Sequence, residues 1–248
     1  MLDWSACLAE AGMRSLSGVL LRLVESQEQV ATNQLVSSLD RQMVLEDMLE
    51  ATKPRLHPKT GELHYLLATP FRYPPLKHGS RFSTRNAPSL FYGALETDTV
   101  LAEAAYYRFL FWYGMVTPPL GKLDTQHTLF GAEYHTDKGL QLQAPPFLTY
   151  RDVLRSPSDY GPTQALGAEM RTAGVEAFEF ISARDLQGGI NVALFTPAAL
   201  GASAPVFQEP WLCEVTAERV RFHAAHSRKL YTFPIDVFLV EGKLPQAA

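Results

Sequence analysis

Cysteine is scarce in this sequence. Only Cys7 and Cys213 occur among the 248 residues, and they do not form a CxxC pair. Two thiols cannot build a framework of several disulfides, and without CxxC the chain offers neither a typical zinc site nor a thiol-redox motif. Scarce cysteine is typical of a reducing compartment, so we expect a cytoplasmic protein.

An excess of basic residues is also missing. The chain has 22 Lys and Arg against 26 Asp and Glu, which gives a formal net charge of −4. A general nucleic-acid-binding surface needs a basic excess, so we expect no direct contact with DNA or RNA. The same balance still allows a local basic pocket for a small anion.

Long apolar runs are absent as well. Arg22 interrupts the apolar stretch from Val19 to Val24, which makes a poor signal peptide. The aromatic run from Phe109 to Val116 is too short to span a bilayer, so we expect no membrane partner. With 46% apolar and 19% charged residues, the chain can bury a sizeable core.

Several common catalytic and phosphate-binding motifs do not occur. GxGxxG, GxxxxGKS/T, GxSxG and HExxH are all missing, which argues against a Rossmann or P-loop phosphate cradle, a nucleophile elbow and a zinc protease. His223 and His226 lie three residues apart, as two metal ligands on a helix would, but surface histidines are the simpler interpretation. We therefore predict no metal site.

Proline is absent before Pro54, although the chain has 17 prolines. Upstream of it, the apolar residues follow i, i+3, i+4, i+7, i+8 spacing and predict an N-terminal helical segment over residues 1–58; they are Leu16, Val19, Leu20, Leu23 and Val24. This segment either packs on the rest of the chain or binds a partner, which includes a second copy. Residues 59–248 alternate short β-like runs with turns, and helices are predicted over Thr99–Tyr113 and Thr163–Ala173.

The stretch from Ser80 to Arg108 contains the most informative pattern. Arg81, Tyr92 and Glu103 follow one another at equal steps of eleven residues, each on a different predicted element. A cation for phosphate, an aromatic ring for stacking and a carboxylate are what a site that cleaves a nucleotide's glycosidic bond needs.

Short motifs in a fixed order resemble the RES domain, a family named for an arginine, a glutamate and a serine. The motifs are Phe71-Arg72-Tyr73, Arg81-Phe82-Ser83, Leu90-Phe91-Tyr92-Gly93-Ala94, Leu101-Ala102-Glu103, Phe180-Ile181-Ser182-Ala183 and Gly188-Gly189-Ile190-Asn191-Val192. The resemblance covers residues 65–200 and lies in the order and spacing of the motifs. The chain departs from the compact pattern by its N-terminal segment, an expanded stretch at 114–162, a tail after 200, and Phe82 where the family often has tryptophan.

The resemblance implies a fold and an activity. The fold is α+β and ADP-ribosyltransferase-like, with two packed, mostly antiparallel sheets and flanking helices, so that residues 59–248 form a catalytic domain. RES proteins consume NAD and are toxins of bacterial toxin–antitoxin pairs whose antitoxins are Xre-like. We therefore expect NAD as substrate, an Xre-like antitoxin as partner, and either a monomer or a homo-oligomer.

The residues of these motifs also have a direct chemical interpretation. Arg72 and Arg81 each offer a planar guanidinium that can clamp a diphosphate; alternatively each forms a surface salt bridge. Tyr73 and Tyr92 either stack on nicotinamide, hold its ribose, or pack in the core. Glu103, in the apolar turn Leu-Ala-Glu-Ala-Ala, either stabilises a cation-like ribose or is an exposed helix-start glutamate.

Two further candidates lie on predicted strands. Ser182 either bonds the nicotinamide amide or a phosphate, or is a small core residue at a strand end. Asn191, on the neighbouring strand, is a weaker candidate for binding.

The predicted reaction is loss of nicotinamide from NAD, promoted by Glu103. The acceptor at the freed ribose carbon is inorganic phosphate or water, with mono-ADP-ribosylation of a protein as the alternative. A second alternative is a non-catalytic module that binds NAD or a partner and leaves NAD intact.

Overall fold

The computed structural model describes residues 2–26, 36–54, 58–73, 77 and 79–246. Its α-helices are α1 (Trp4–Ala11), α2 (Leu39–Thr52), α3 (Tyr65–Arg72), α4 (Thr97–Gly114), α5 (Arg151–Leu154) and α6 (Gly161–Thr172). Its strands are β1 (Arg14–Glu25), β2 (Phe91–Ala94), β3 (Leu123–Gln141), β4 (Ala177–Ile181), β5 (Ile190–Leu194), β6 (Phe207–Val215), β7 (Arg219–Ala224) and β8 (Leu230–Pro234). The predicted helices at 99–113 and 163–173 are confirmed as α4 and α6.

The strands form one hydrogen-bonded sheet, part of which closes on itself. The order is β1-β2-β5-β4-β3-β6-β7-β8, and β3 also pairs with β1. The strands β1, β2, β5, β4 and β3 therefore form a closed ring, while β6, β7 and β8 extend from β3 as an open wing. Apart from the parallel pair β3–β4, the pairings are antiparallel, which confirms the α+β class with mostly antiparallel strands.

The 19-residue strand β3 joins the ring to the wing. One of its edges pairs with β1 from His127 to Gly139. The other edge pairs with β6 over residues 123–131 and with β4 over residues 139–141. The two expected sheets are thus one continuous ladder that divides along β3. Part of the expanded stretch at 114–162 is therefore regular: residues 123–141 form β3, the longest strand of the described residues.

Helix α4 packs lengthwise on the sheet and presents two different faces. Leu101, Ala105, Phe109 and Trp112 recur every three or four residues and are buried against the wing, among residues such as Phe222. Burial of this stripe fixes the helix, because each large side chain contributes about 1.5–3 kcal/mol when fully removed from water. Glu103 lies between these positions and belongs to another face, which is turned toward the ring.

The helix predicted over residues 16–24 is wrong, because this stretch is the strand β1. Leu16 and Leu20 are buried inside the ring with Phe91 and Phe130, whereas Leu21 and Leu23 pack on the opposite side with α4 and the wing. Over residues 20–24 β1 is at least partly covered on both faces, so apolar residues occur there at both odd and even positions. That distribution produced a spacing that also fits an amphipathic helix.

The rest of the predicted N-terminal segment is helical in part. Helix α1 buries Trp4 and Cys7 in the core, so it packs on the remainder of the chain. Helix α2 exposes Leu39, Met43 and Met48, and whether a partner covers them stays a prediction. The predicted division at residue 58 also stays a prediction, although β1 belongs to the same sheet as the strands that follow it; residues 55–57, beside that division, lie outside the described residues.

Within the described ranges, no helix is both long and apolar enough to cross a membrane. In the same part of the chain, His, Cys, Asp and Glu side chains do not gather in groups of three or more that could hold a metal ion.

Candidate active site

A cleft of about 490 Å³ lies beside the closed ring. Its walls come from β1, α3, the loop before β2, β2 itself, α4, β4 and β5. Five of the predicted site residues line it: Tyr73, Arg81, Tyr92, Glu103 and Asn191. The fold therefore brings together residues that are more than 100 positions apart in sequence.

Glu103 is held at the cleft by two hydrogen bonds to one of its oxygens. Ser182 Oγ donates to Oε1 at 2.6 Å, and Asn191 Nδ2 donates to the same atom at 2.6 Å. Both donors come from the β4–β5 region, which therefore fixes the carboxylate relative to α4. No hydrogen bond among the described residues reaches the second oxygen, Oε2. That atom can therefore still accept hydrogen bonds from a ligand.

Ser182 lies behind Glu103 rather than on the wall of the cleft. It is fully buried, and its Oγ accepts hydrogen bonds from the backbone N–H groups of Arg184 and Asp185, both at 3.0 Å. Because these two amides occupy the acceptor positions, the hydroxyl proton is directed to Glu103. In this structure Ser182 therefore positions Glu103, and direct bonding of the substrate by Ser182 stays a prediction.

Tyr92 ties the cleft wall to the Arg81 segment. Its phenol oxygen lies 2.9 Å from Ser80 Oγ and accepts the backbone N–H of Phe82 at 3.3 Å. Burial raises the pKa of this phenol above its usual value, so Tyr92 is neutral at physiological pH. Its ring meets Phe180 edge-on, with 6.3 Å between centroids, and one face remains part of the cleft lining.

Arg81 is anchored without a carboxylate. One terminal nitrogen of its guanidinium donates to the carbonyls of Ser156 at 2.8 Å and Leu154 at 3.2 Å. The guanidinium also lies 4.7 Å from the ring centroid of Tyr160, a cation–π contact. Arg184 donates to the Tyr160 hydroxyl at 2.9 Å and so holds that ring in place. The charge of Arg81 therefore remains uncompensated by an acidic side chain of the described residues.

Arg72 is separated from the other predicted site residues. At the end of α3 its Nε donates to the Pro54 carbonyl at 2.6 Å, and a terminal nitrogen forms an ion pair with Glu50 of α2 at 2.7 Å. It is not part of the cleft lining. Of the two roles predicted for Arg72 the structure shows the salt bridge, because the end of the helix directs Tyr73 to the cleft and Arg72 to α2.

Arg22 and Tyr107 are among the cleft residues that the sequence motifs did not identify. Arg22 of β1 lines the cleft, and Tyr107, one helical turn after Glu103, lines it with half of its surface exposed. The signal for Arg22 was present, because a charge inside the apolar stretch 19–24 needs a reason. It was interpreted only as an interruption of a signal peptide.

A second cavity, of about 720 Å³, lies on the open wing. Its cations are already paired with acids: Lys122 with Asp124 and Glu214, and Arg221 with Glu214. It lacks the combination of a positioned carboxylate and uncompensated guanidinium groups that the smaller cleft has. The cleft beside the ring is therefore the candidate active site.

The chain resembles known proteins in both structure and sequence. The crystal structure of the M. tuberculosis MbcT–MbcA toxin–antitoxin complex is similar to this chain at 11% sequence identity and a TM-score of 0.47, covering 83% of this chain and 90% of that one. No curated protein matches the chain. The RES domain matches residues 54–229, which include all the cleft residues except those of β1. The chain therefore belongs to the RES domain family.

Proposed function

We propose that this protein cleaves the nicotinamide–ribose bond of NAD and transfers the ADP-ribose to inorganic phosphate or water. The observation that carries the proposal is the environment of Glu103. One carboxylate oxygen is fixed by Ser182 and Asn191, and the other is unoccupied at a cleft that also contains Arg81 and Tyr92.

The chemistry follows from these positions. When the glycosidic bond breaks, its electron pair moves to the pyridinium nitrogen, so nicotinamide leaves as a neutral molecule and the ribose carbon becomes oxocarbenium-like. A fixed carboxylate beside that carbon stabilises the developing positive charge. Phosphate then gives ADP-ribose-1″-phosphate, whereas water gives ADP-ribose and releases a proton.

Binding of the substrate is assigned to the remaining residues of the cleft. Arg81 supplies a permanent charge and free N–H groups for the diphosphate. Tyr92 and Tyr73 supply aromatic surface, and Tyr73 has 40% of its surface exposed in the unliganded cleft. Asn191 contributes through Glu103, because its amide donates to that carboxylate.

We also propose that the protein is the toxin of a toxin–antitoxin pair with an Xre-like antitoxin. Membership of the RES domain family supports this part of the proposal. The prediction is that expression of the chain alone arrests bacterial growth and lowers cellular NAD, and that E103Q removes both effects. Growth arrest that persists with E103Q would contradict an NAD-based toxicity.

The direct test is mass spectrometry of NAD incubated with the purified chain, with and without inorganic phosphate. Nicotinamide release that requires phosphate identifies a phosphorylase, and free ADP-ribose in both buffers identifies a hydrolase. The variant E103Q should lose at least about a thousandfold in rate, because the charge that stabilises the transition state is removed.

The matched control is E96Q. Glu96 precedes α4, is exposed, and makes no side-chain capping hydrogen bond, so its change should leave the rate unaltered. Intact NAD with the wild-type chain would overturn the proposal. If a protein in the mixture instead gained ADP-ribose, the reaction would be mono-ADP-ribosylation.

A further inference from the structure

We infer that Arg155, which is not among the residues lining the cleft, is a positioning residue for the reaction. Its side chain holds the bend that carries Ser182, and the carbonyls on either side of it hold Arg81. The inference rests on the proposed function. It adds to that function a physical link between the part of the site that fixes the carboxylate of Glu103 and the part that fixes the cation.

Arg155 stands at the end of the short helix α5. Its backbone N–H donates to the Arg151 carbonyl at 2.8 Å and so completes the last turn of that helix. Leu154, directly before it, is buried in the same core cluster as Phe180. Core packing of Leu154 therefore fixes the backbone from which the Arg155 side chain extends.

The guanidinium of Arg155 spans the bend at residues 182–185, which follows β4. Its Nε donates to the Ser182 carbonyl at 2.8 Å, and one terminal nitrogen donates to the Asp185 carbonyl at 2.6 Å. These carbonyls belong to the first and last residues of the bend. One rigid, planar group therefore sets the distance between the two ends of the bend.

The shape of this bend decides where the Ser182 hydroxyl proton points. Ser182 Oγ accepts the backbone N–H groups of Arg184 and Asp185. Its own proton is donated to Glu103 at 2.6 Å. If the bend relaxes, the two amides move away from Oγ and no longer direct that proton to the carboxylate. Arg155 therefore acts on Glu103 through Ser182.

The backbone beside Arg155 supports the other part of the site. One terminal nitrogen of Arg81 donates to the carbonyls of Leu154 and Ser156, at 3.2 and 2.8 Å. These two residues come immediately before and after Arg155. The three consecutive residues therefore hold the cation of the cleft with backbone groups and its carboxylate with a side chain.

The positive charge of Arg155 is directed at backbone carbonyls. The side chain is half-buried, and no acidic side chain of the described residues forms an ion pair with it. Arg151, four residues earlier, is exposed, and within the described part of the chain its side chain makes no hydrogen bond or ion pair. Two arginines of the same helical segment thus have different surroundings, which makes Arg151 the matched control.

The experiment compares steady-state NAD cleavage by the full-length chain and by its variants R155A, R155K and R151A. R155A should lower kcat about tenfold, because Glu103 loses part of its fixed position. KM should change much less, since the carbonyls that hold Arg81 belong to the backbone and remain. R155K should fall between R155A and wild type, because it keeps the charge without the planar fork. R151A should match the wild-type values.

A double-mutant cycle with S182A separates positioning from a general loss of structure. If Arg155 acts through Ser182, R155A should lower kcat in the wild-type background and have little further effect in the S182A background. An equal loss from R155A in both backgrounds would overturn the inference, because the effect would then not pass through Ser182.

The remaining outcomes are also decisive. If the wild-type chain cleaves NAD and R155A keeps its kcat, the role of Arg155 is overturned and the proposed function stands. If the wild-type chain leaves NAD intact, both are overturned. Should R155A fail to fold, R155K takes its place in the cycle, and wild-type kcat in folded R155K would contradict the positioning role.

Discussion

The cleft beside the closed ring and the cavity on the open wing contain the same kinds of charged side chain in different arrangements. In the wing, Lys122 and Arg221 share Glu214 as their acidic partner. In the cleft, Arg22 and Arg81 donate to backbone carbonyls instead. Paired surface charges are largely satisfied and contribute little, whereas unpaired charges leave capacity for a ligand. Cavity volume alone would have selected the cavity on the wing instead of the cleft.

Of the substitutions that compare the cleft with the wing, S182A beside the cleft should lower the rate of NAD cleavage the most. The change removes one of the two donors that hold Glu103 and leaves the amides of Arg184 and Asp185 without their acceptor. Loss of a hydrogen bond to a charged group predicts a roughly tenfold to hundredfold lower rate of NAD cleavage. Steady-state kinetics would show this in kcat more than in KM, because Ser182 does not line the cleft.

The control for S182A is S227A. Ser227 lies between β7 and β8 on the wing and also accepts a backbone N–H through its Oγ. It should lose no activity. If S227A and S182A reduced kcat equally, the positioning role of Ser182 would be contradicted.

A smaller effect, on stability rather than activity, is expected at His127. Burial, reinforced by the nearby charge of Arg108, lowers the pKa of this histidine to about 4, although Glu25 acts in the opposite direction. Above pH 6.5 it is neutral in both the folded and the unfolded chain, so it adds no pH dependence. Between pH 6.5 and 4 the unfolded chain takes up a proton that the folded chain does not, which lowers the free energy of unfolding by up to about 3 kcal/mol.

Denaturant unfolding at several pH values would measure this slope. H127Q should reduce it while keeping a hydrogen-bonding group beside Thr125, and NAD cleavage at neutral pH should not change. A slope identical in H127Q and wild type would show that other groups cause the acid sensitivity.

The smallest effect is expected for E214Q in the wing. The change breaks the ion pairs with Lys122 and Arg221, which are partly exposed to solvent and therefore worth little. Melting temperature should fall only slightly, and both ADP-ribose affinity and NAD cleavage should stay at wild-type values. A clear loss of activity would place function in the wing and break the contrast between the two cavities.

Local patterns predicted much of the fold and most of the site. The helices predicted at 99–113 and 163–173 are present as α4 and α6. The order of short motifs selected Arg81, Tyr92 and Glu103 for one site. The motifs could not distinguish Arg72 from Tyr73, because adjacent residues at a helix end point in different directions. They also could not show that Ser182 contacts Glu103 rather than the cleft.

The sequence alone determined the class of the fold and the types of chemistry available. The class of the fold followed from the order of short motifs that resembles the RES domain. The types of chemistry followed from the balance of charges, the absent motifs, and the position of one acid in an apolar helical turn. Tertiary structure decided the conformation of residues 14–25, because the same leucine spacing fits a helix and a strand that packs against other elements on both faces. Long-range contacts also decided which arginine lies at the cleft. Strand β1 pairs with β2, which places Arg22 there, whereas Arg72 forms an ion pair with Glu50 of α2.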